Sequence, residues 1–486
     1  MKLRRPILQQ LQKAFSPACT RVLRATPQPR RTYASVPAAD LQFGQPVYET
    51  HPHILRPGQI TPGITAQEYA DRRAKLAASL PPNGMAILAS SETKYRSGAV
   101  FYEFHQEPNF FYLTGFNEPE AVAVIKREGS SADYTFHLFL RPKDARVEQW
   151  EGARSGKQAA LDVFNADKSG DVNLLHTLLP PLISEASELY IDTPTHSDFG
   201  TFFRNRETTL NDFQRMIKGS KVKPLKPLVH ELRIIKSEAE IANMRLAGRY
   251  SGRTFVNAMR RQWTKEKDLW AFLDYDFKAN GCDTTAYIPV VAGGKNALSI
   301  HYVRNNDVLQ NSQLVLVDAG GEYGGYIADI TRSWPNNGKF TDAQRDLYEA
   351  ILQVQRSSVS LCRESASMTL DRIHQITEQG LKDALKQLGF DMKSDTMDIL
   401  FPHHVGHYIG LDVHDCPGYS RSVPLKAGHC VTVEPGIYVP DDERWPAHFR
   451  GMGIRIEDSV CVQEDSPLIL TTEAVKEVVD IEALRN

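Results

Sequence analysis

The sequence predicts an α/β domain followed by an α+β domain, and three observations carry that expectation. A chain of 486 residues calls for two or three domains at roughly 100–200 residues each. Up to about residue 220, short apolar runs alternate with helical stretches, the mixture of an α/β unit. Beyond that point, long amphipathic helices stand among β-rich runs, the mixture of helices packed on a mostly antiparallel sheet. The composition, 41% hydrophobic and 24% charged, is that of a globular protein and excludes a disordered chain, a collagen and a coiled-coil rod. No apolar run approaches the ~18 residues of a membrane-spanning helix.

The elements follow in order. Residues 34–62 hold Pro37, Pro46, Pro52, Pro57 and Pro62 and read as an extended segment. A helix begins at Thr65, with Tyr69, Leu76 and Leu80 on its apolar side. Strands are expected at Ala86–Leu88, Phe110–Leu113, Ala121–Ile125, Tyr134–Leu140 and Glu188–Ile191, with a helix near Gly156–Phe164. The basic, proline-containing run Lys221–Pro227 marks a domain boundary. Ser237 followed by Glu240, and Thr341 followed by Gln344, fit the capping box and open long helices. A third helix covers Leu370–Leu388, and strands are expected at 314–318, 326–334, 430–434 and 454–462. The resulting division is 1–33, 34–62, 63–233 and 234–486.

Charge is uneven. The chain carries −2 overall, yet residues 1–33 hold eight of its 57 basic residues and no acid, the first being Asp40. Without that segment the body carries −10, which offers no electrostatic case for nucleic-acid binding. Ile7, Leu8, Leu11, Ala14 and Phe15 fall on one helical face. A basic, acid-free, amphipathic N-terminus is the composition of a mitochondrial transit peptide; a disordered basic tail is the bland alternative. Gln9, Gln10 and Gln12 interrupt the apolar core that a secretory signal needs. The six cysteines are scattered without a CxxC, so a zinc ribbon and a thioredoxin-type pair are excluded and reduced thiols are expected.

The chemistry-bearing residues cluster in the second half. Asp318 ends the apolar run Leu314–Val317, and Asp329 follows a glycine-rich turn, so a hairpin brings two carboxylates together. Two buried carboxylates need a partner or a metal; the bland reading is a pair of turn aspartates. Phe401–Asp415 carries His403, His404, His407 and His414; Glu434 ends a β-rich run; Arg455 and Glu457 share one face of a strand by the period of two. Four carboxylates and one imidazole suit two divalent cations, from Mg, Ca or Mn to Fe, Co and Zn. Such a pair activates a water and polarises a carbonyl.

Asp318, Asp329, His407, Glu434 and Glu457, in that order, resemble the five ligands of the pita-bread metallopeptidases, the superfamily of methionine aminopeptidase, aminopeptidase P and prolidase. Val290–Tyr302, Gly410–Asp415 and Asn109–Glu120 resemble the aminopeptidase P branch, and the likeness covers roughly residues 60–475. It implies a pita-bread catalytic domain over 234–486 behind an aminopeptidase P-type domain over 63–233. It implies two divalent ions, manganese preferred, with Asp329 and Glu457 shared, Asp318 completing one site and His407 and Glu434 the other. Glu434 then exchanges protons with the water between them, and His301 and His414 hydrogen-bond the substrate. His403 lines the substrate path, and Arg455 pairs with a ligand carboxylate. Alone, His301 reads as a surface histidine; Asp415 either orients His414 or caps a turn; the role of His404 is open.

The transit-like segment and Pro402-His403-His404-Val405-Gly406-His407 point toward the intermediate cleaving peptidases. These take one residue, such as Tyr, Leu or Phe, from N-termini exposed by the mitochondrial processing peptidase. The expected place is the matrix or the matrix side of the inner membrane, and the expected state a homodimer. The chain's own Arg31-Thr32-Tyr33-Ala34 reads as a two-step site, cut after Thr32 and then trimmed of Tyr33. An X-Pro aminopeptidase acting on peptides is the alternative. A catalytically inactive binding module is a remote one, since such proteins lose ligands and all five stand here.

Overall fold

The computed structural model describes residues 42–131, 133–192 and 210–485; the expected transit peptide and its cleavage sites lie outside them. The proline-rich stretch is not extended where it is described. It folds into successive turns, with the amides of His51 and Leu55 donating to the carbonyls of Val47 and His51, and then enters a short strand at Gln59–Thr61.

Helix α1 (Ala66–Ser79) starts at Thr65, whose side chain caps the amide of Glu68. Tyr69, Leu76 and Ala77 bury its inner face. β1 (Met85–Ala89) is followed by α2 (Pro108–Thr114). The expectation of a strand at Phe110–Leu113 is wrong, and the reason is local. Glu107 caps the amide of Phe110, Pro108 occupies the first turn, and Gly115 closes the helix at φ 65°. These end signals outweigh the β-preference of three aromatics and a leucine. Next come β2 (Val122–Arg127), β3 (Tyr134–Leu140), β4 (Lys168–Asp171), β5 (Leu189–Tyr190) and β6 (Val222–Lys223). They form one six-stranded sheet in the order β6-β5-β1-β2-β3-β4. β5 is parallel to both β6 and β1, and β4 to β3, while β1–β2 and β2–β3 are antiparallel. This is the expected α/β mixture. α3 (Lys226–Arg233) then leads to the catalytic half.

There α4 (Glu238–Met259) opens with a reciprocal capping box between Ser237 and Glu240. α5 (Glu266–Asn280), which the sequence reading did not single out, packs beside it and ends at Gly281 in a left-handed conformation. β7 (Val290–Gly293), β8 (Leu314–Ala319) and β9 (Ile330–Pro335) form an antiparallel sheet with β8 central. α6 (Asp342–Ser360) has the second capping box, and α7 (Leu370–Gln387) packs against it. β10 (Cys430–Val433), β11 (Gly436–Tyr438), β12 (Gly453–Arg455) and β13 (Asp458–Cys461) complete the half, β10 pairing with β13 and β11 with β12. All these pairings are antiparallel, as expected for α+β. The strands expected at 326–334 and 454–462 are each interrupted, at Asp329 and at Glu457. Helices and strands share a core that includes Phe255, Leu273, Val317, Trp334, Tyr348, Val433 and Ile456. Among the described residues, no helix is long and apolar enough to cross a membrane.

Candidate active site

A cavity of about 540 Å³ opens over the strand ends of the catalytic half. Asp318, Asp329, His407, Glu434, Glu457, His301, His403, His414 and Arg455 all line it. The sequence-selected set thus converges on one space, although 156 positions separate its first and last members in the chain.

Asp318 stands on a strand, and the other carboxylates stand where strands end or break. Asp318 lies at the end of β8, opposite Val290 and Thr331. Its Oδ2 accepts from Arg455 Nη2 at 2.6 Å and its Oδ1 from the Tyr287 hydroxyl at 2.7 Å. That hydroxyl also contacts Asp329 Oδ1. The Ser459 side chain holds Asp329 by both backbone groups, accepting from its amide at 3.1 Å and donating to its carbonyl at 2.9 Å. Glu457 Oε2 accepts from Thr331 Oγ1 at 2.6 Å, and Thr331 Oγ1 accepts in turn from Arg455 Nε at 3.0 Å. Glu434 follows β10, its amide donating to Val405 O at 2.8 Å.

His407 Nε2 lies 3.6 Å from both Asp329 Oδ2 and Glu434 Oε1. Its Nδ1 is 3.0 Å from the carbonyl of Tyr408, which only accepts, so the proton sits on Nδ1 and the lone pair of Nε2 faces the carboxylates. This is the orientation of a metal-binding imidazole. A second chain of bonds runs along the wall. Arg455 Nη1 donates to the Tyr438 oxygen at 2.7 Å, the Tyr438 hydroxyl donates to His403 Nε2 at 2.8 Å, and His403 Nδ1 donates to the carbonyl of His404 at 2.9 Å. Burial holds His403 and His407 near pKa 4, hence neutral. His414 sits edge-on to His407 with ring centroids 4.4 Å apart.

The donor set fits divalent metal. Ligand atoms of Asp329, His407 and Glu457 lie within 4.8 Å of one another. Glu457 Oε1 is buried with no hydrogen-bond partner, a costly state for a carboxylate oxygen that a cation relieves. Burial, and then the neighbouring acids, push the carboxyls of Asp329 and Glu457 well above the usual range; burial lifts Glu434 to about 7. Three acids that resist ionising together call for positive charge among them.

Three residues of the site escaped the sequence reading. Tyr287 joins the two aspartates, Tyr438 joins Arg455 to His403, and Arg421 brings a cation to the cavity wall. Nothing local marks them; the partners of the two tyrosines are 17 to 42 positions away in sequence. His404 also lines the cavity and stacks on His374 with centroids 4.5 Å apart. Asp415 does not face His414. It accepts from Lys236 Nζ at 2.7 Å and contacts Arg233 Nη2, tying the turn that carries His414 to α3.

A profile of metallopeptidase family M24 matches residues 242–464, and one for the aminopeptidase P N-terminal domain matches 69–190. Intermediate cleaving peptidase 55 of Saccharomyces cerevisiae is 46% identical over 451 residues, 91% of this chain and 88% of that one. A crystal structure of the yeast protein lacking its first 58 residues superposes with a TM-score of 0.82 at 44% identity, covering 88% of this chain and 99% of the other. Xaa-Pro aminopeptidase 3 of Mus musculus is 38% identical, over 91% of this chain and 90% of that one. The protein of Arabidopsis thaliana named "Intermediate cleaving peptidase 55, mitochondrial" is 36% identical, over 96% and 92%. With an aminopeptidase P-like first half, a pita-bread second half and relatives this similar along nearly their whole length, the chain belongs to metallopeptidase family M24 and is a metallo-aminopeptidase.

Proposed function

We propose that this enzyme acts in mitochondria and removes a single N-terminal residue, such as Tyr, Leu or Phe, from imported proteins after presequence cleavage. The observation that carries the reading is the complete set of five ligand-type side chains around one cavity, in a chain 46% identical to an intermediate cleaving peptidase. The basic, acid-free N-terminus and the relative named as mitochondrial support the location; we place the enzyme in the matrix or on the matrix side of the inner membrane. The second reading, an X-Pro aminopeptidase acting on peptides, is favoured by the 38% identity to Xaa-Pro aminopeptidase 3.

Asp318, Asp329, His407, Glu434 and Glu457 would hold two divalent ions, manganese first. When bound, the ions supply Lewis-acid activation of water and of the scissile carbonyl. The chain's own groups do the rest. Glu434 takes a proton from the attacking water on a carboxylate oxygen and returns it to the leaving amine, the general acid–base role. His301 and His414 donate hydrogen bonds to the carbonyl oxygen as it gains charge. The Arg455–Tyr438–His403 chain fixes the wall along which the peptide runs, and Arg455 and Tyr287 hold Asp318 in place.

The working state is a homodimer. The hairpin of Tyr95–Ser97 and Val100–Phe101 leaves Tyr95, Val100, Phe101 and Tyr102 more than half exposed, and apolar surface of this kind is covered by association. The test is release of the first residue from a Tyr-Ala-Ser peptide and from an Arg-Pro-Pro peptide by the purified chain with Mn²⁺, using Glu434→Gln as the blank. Preference for Tyr-Ala-Ser is expected. Preference for Arg-Pro-Pro would replace the first reading with the second, and cleavage of neither by metal-loaded protein would overturn both.

A further inference from the structure

The five described cysteines are unbonded and buried, and two of them face each other. β10 and β13 run antiparallel with Cys430 directly opposite Cys461. The carbonyl of Cys430 accepts from the amide of Ile409, away from β13, whereas one pair along the amide of Val462 donates to the carbonyl of His429. Cys430 and Cys461 are therefore a pair of the non-hydrogen-bonded kind, whose Cα atoms stand ~4.5 Å apart with both side chains on one face. That spacing lies inside the ~4.4–6.8 Å range of a disulfide. The two residues are 0% and 1% exposed, and the Cys461 thiol also donates weakly to the carbonyl of Val462 at 3.6 Å.

The pair is also polarised. The Cys430 side chain beside it pulls the Cys461 thiol below its usual pKa, and the buried Lys236 ammonium adds to the effect. The same contact and burial push the Cys430 thiol up. One sulfur is thus suited to attack and the other to resolve.

We propose that Cys430 and Cys461 are a peroxide-modified dithiol that closes to a disulfide and lowers the activity of the adjacent metal site. The Cys461 thiolate attacks one oxygen of hydrogen peroxide and the O–O bond breaks, giving a sulfenic acid and, with one proton, water. The Cys430 sulfur then displaces the hydroxyl, which leaves as a second water with the Cys430 proton. Two thiols lose two electrons, and one peroxide becomes two waters.

The strands carry the consequence to the site. β10 ends one residue before Glu434, and β13 begins one residue after Glu457. Closure draws the Cβ atoms to ~3.8 Å from the ~4.5–5.5 Å of an opposed pair. The strands holding two of the ligand-type carboxylates then shift by about 1 Å or less, and misplacement on that scale costs up to ~100-fold in rate.

The loss of activity rests on the aminopeptidase reading; the disulfide does not. The purified full chain, fully reduced, is treated with hydrogen peroxide and examined three ways: peptide mapping, bound manganese per chain, and kcat on Tyr-Ala-Ser and Arg-Pro-Pro peptides. Expected are a cross-linked pair of peptides bearing Cys430 and Cys461 and a fall in kcat of about tenfold or more on whichever peptide is cleaved. Dithiothreitol should reverse both, Cys430→Ala and Cys461→Ala should lack both, and Cys282→Ala should keep both. If neither peptide is cleaved, the aminopeptidase reading fails by itself, and the cross-link with reversible loss of bound manganese still decides the proposal. Sulfinic or sulfonic acids without the cross-link would overturn it, as would a cross-linked protein with undiminished kcat and manganese. The mapping is done on the wild-type chain, so it decides the proposal even where a variant fails to fold.

Discussion

Replacing Asp415 by asparagine tests how the catalytic turn is held. Asp415 is 3% exposed and meets two buried cations. Lys236 Nζ is 2.7 Å from its Oδ2, and Arg233 Nη2 contacts its Oδ1 while also reaching Asp412 Oδ2 at 2.8 Å and, through Nη1, Asn109 Oδ1 at 2.7 Å. Burial alone would raise the Asp415 carboxyl; Arg233 and Lys236 overcome it and hold the group well below the usual carboxylate range. Asparagine keeps the shape and removes the charge. Arg233 retains half-exposed Asp412, whereas Lys236 is left in the interior with no anion. Removing one partner of a buried pair costs about 3–5 kcal/mol, and equilibrium denaturation should show a loss of that size. The double variant Asp415→Asn with Lys236→Met should be more stable than the sum of the single changes implies, because no orphan ammonium remains. Asp415 sits next to His414, so kcat should fall about tenfold with bound metal unchanged. An Asp415→Asn protein within about 0.5 kcal/mol of wild type, the level of an ordinary surface change, would refute the reasoning, as would strict additivity with Lys236→Met.

Glu434→Gln should lower kcat by about 100-fold to 10,000-fold, the range for loss of a general acid–base group, while the chain stays folded by circular dichroism. The metal-free protein should lose stability as pH rises. The folded pKa of Glu434, about 7 against an ordinary 4.5, is raised, so its favourable contribution is complete below 4.5 and lost on passing through 7. At about 1.4 kcal/mol per unit this amounts to about 3 kcal/mol, visible as a difference between metal-free wild type and Glu434→Gln; a pH-independent difference would sink it. His137 in β3 runs the other way, since burial lowers it to about 4. The stability it contributes should be present above about 6.5 and lost as pH falls toward 4, a slope that His137→Gln should flatten in acid denaturation. Ser459→Ala strips both backbone partners from Asp329 and should cost about 1–3 kcal/mol together with a measurable loss of manganese affinity by titration.

What the sequence discloses is what is local or ordered along the chain. The two capping boxes lie within four residues each and reappear as helix starts. The five ligand-type residues are legible by identity and order, because each is marked by its own short stretch of chain and those stretches follow one another in sequence. Aromatic-rich Phe110–Leu113 misleads because its β-preference is only half the local signal; Glu107, Pro108 and Gly115 at its ends supply the other half. Tyr287, Tyr438 and the Arg233–Asp415–Lys236 cluster are invisible for a different reason. Their meaning comes from partners brought near only by packing, so the residues look like an ordinary tyrosine pair and an ordinary charged surface until the fold is formed. Asp415 is the clearest case: orienting His414 and capping a turn are both local roles, and its main contacts are 179 and 182 positions away.

The broken strands explain how so many charges share one place. The sequence reads 326–334 and 454–462 as unbroken β and ends a β-rich run at Glu434; the chain leaves its ladder at 328–329 and at 456–457, and at 434–435 directly after β10. The three carboxylates that most need metal, Asp329, Glu434 and Glu457, sit at these breaks. In a regular strand, neighbouring side chains diverge to opposite faces, and a facing pair of like charges repels. A break frees the residue from that alternation, and each freed backbone is then pinned sideways. The amide of Asp329 meets Ser459 Oγ, that of Glu434 meets Val405 O, and that of Glu457 meets Thr331 O. Buried amides left without partners would cost about as much as the bonds themselves, so these pins set where the carboxylates point before any ion arrives. A site preorganised in this way places its repulsion at a few defined atoms, and a bound cation relieves that repulsion without moving the strands.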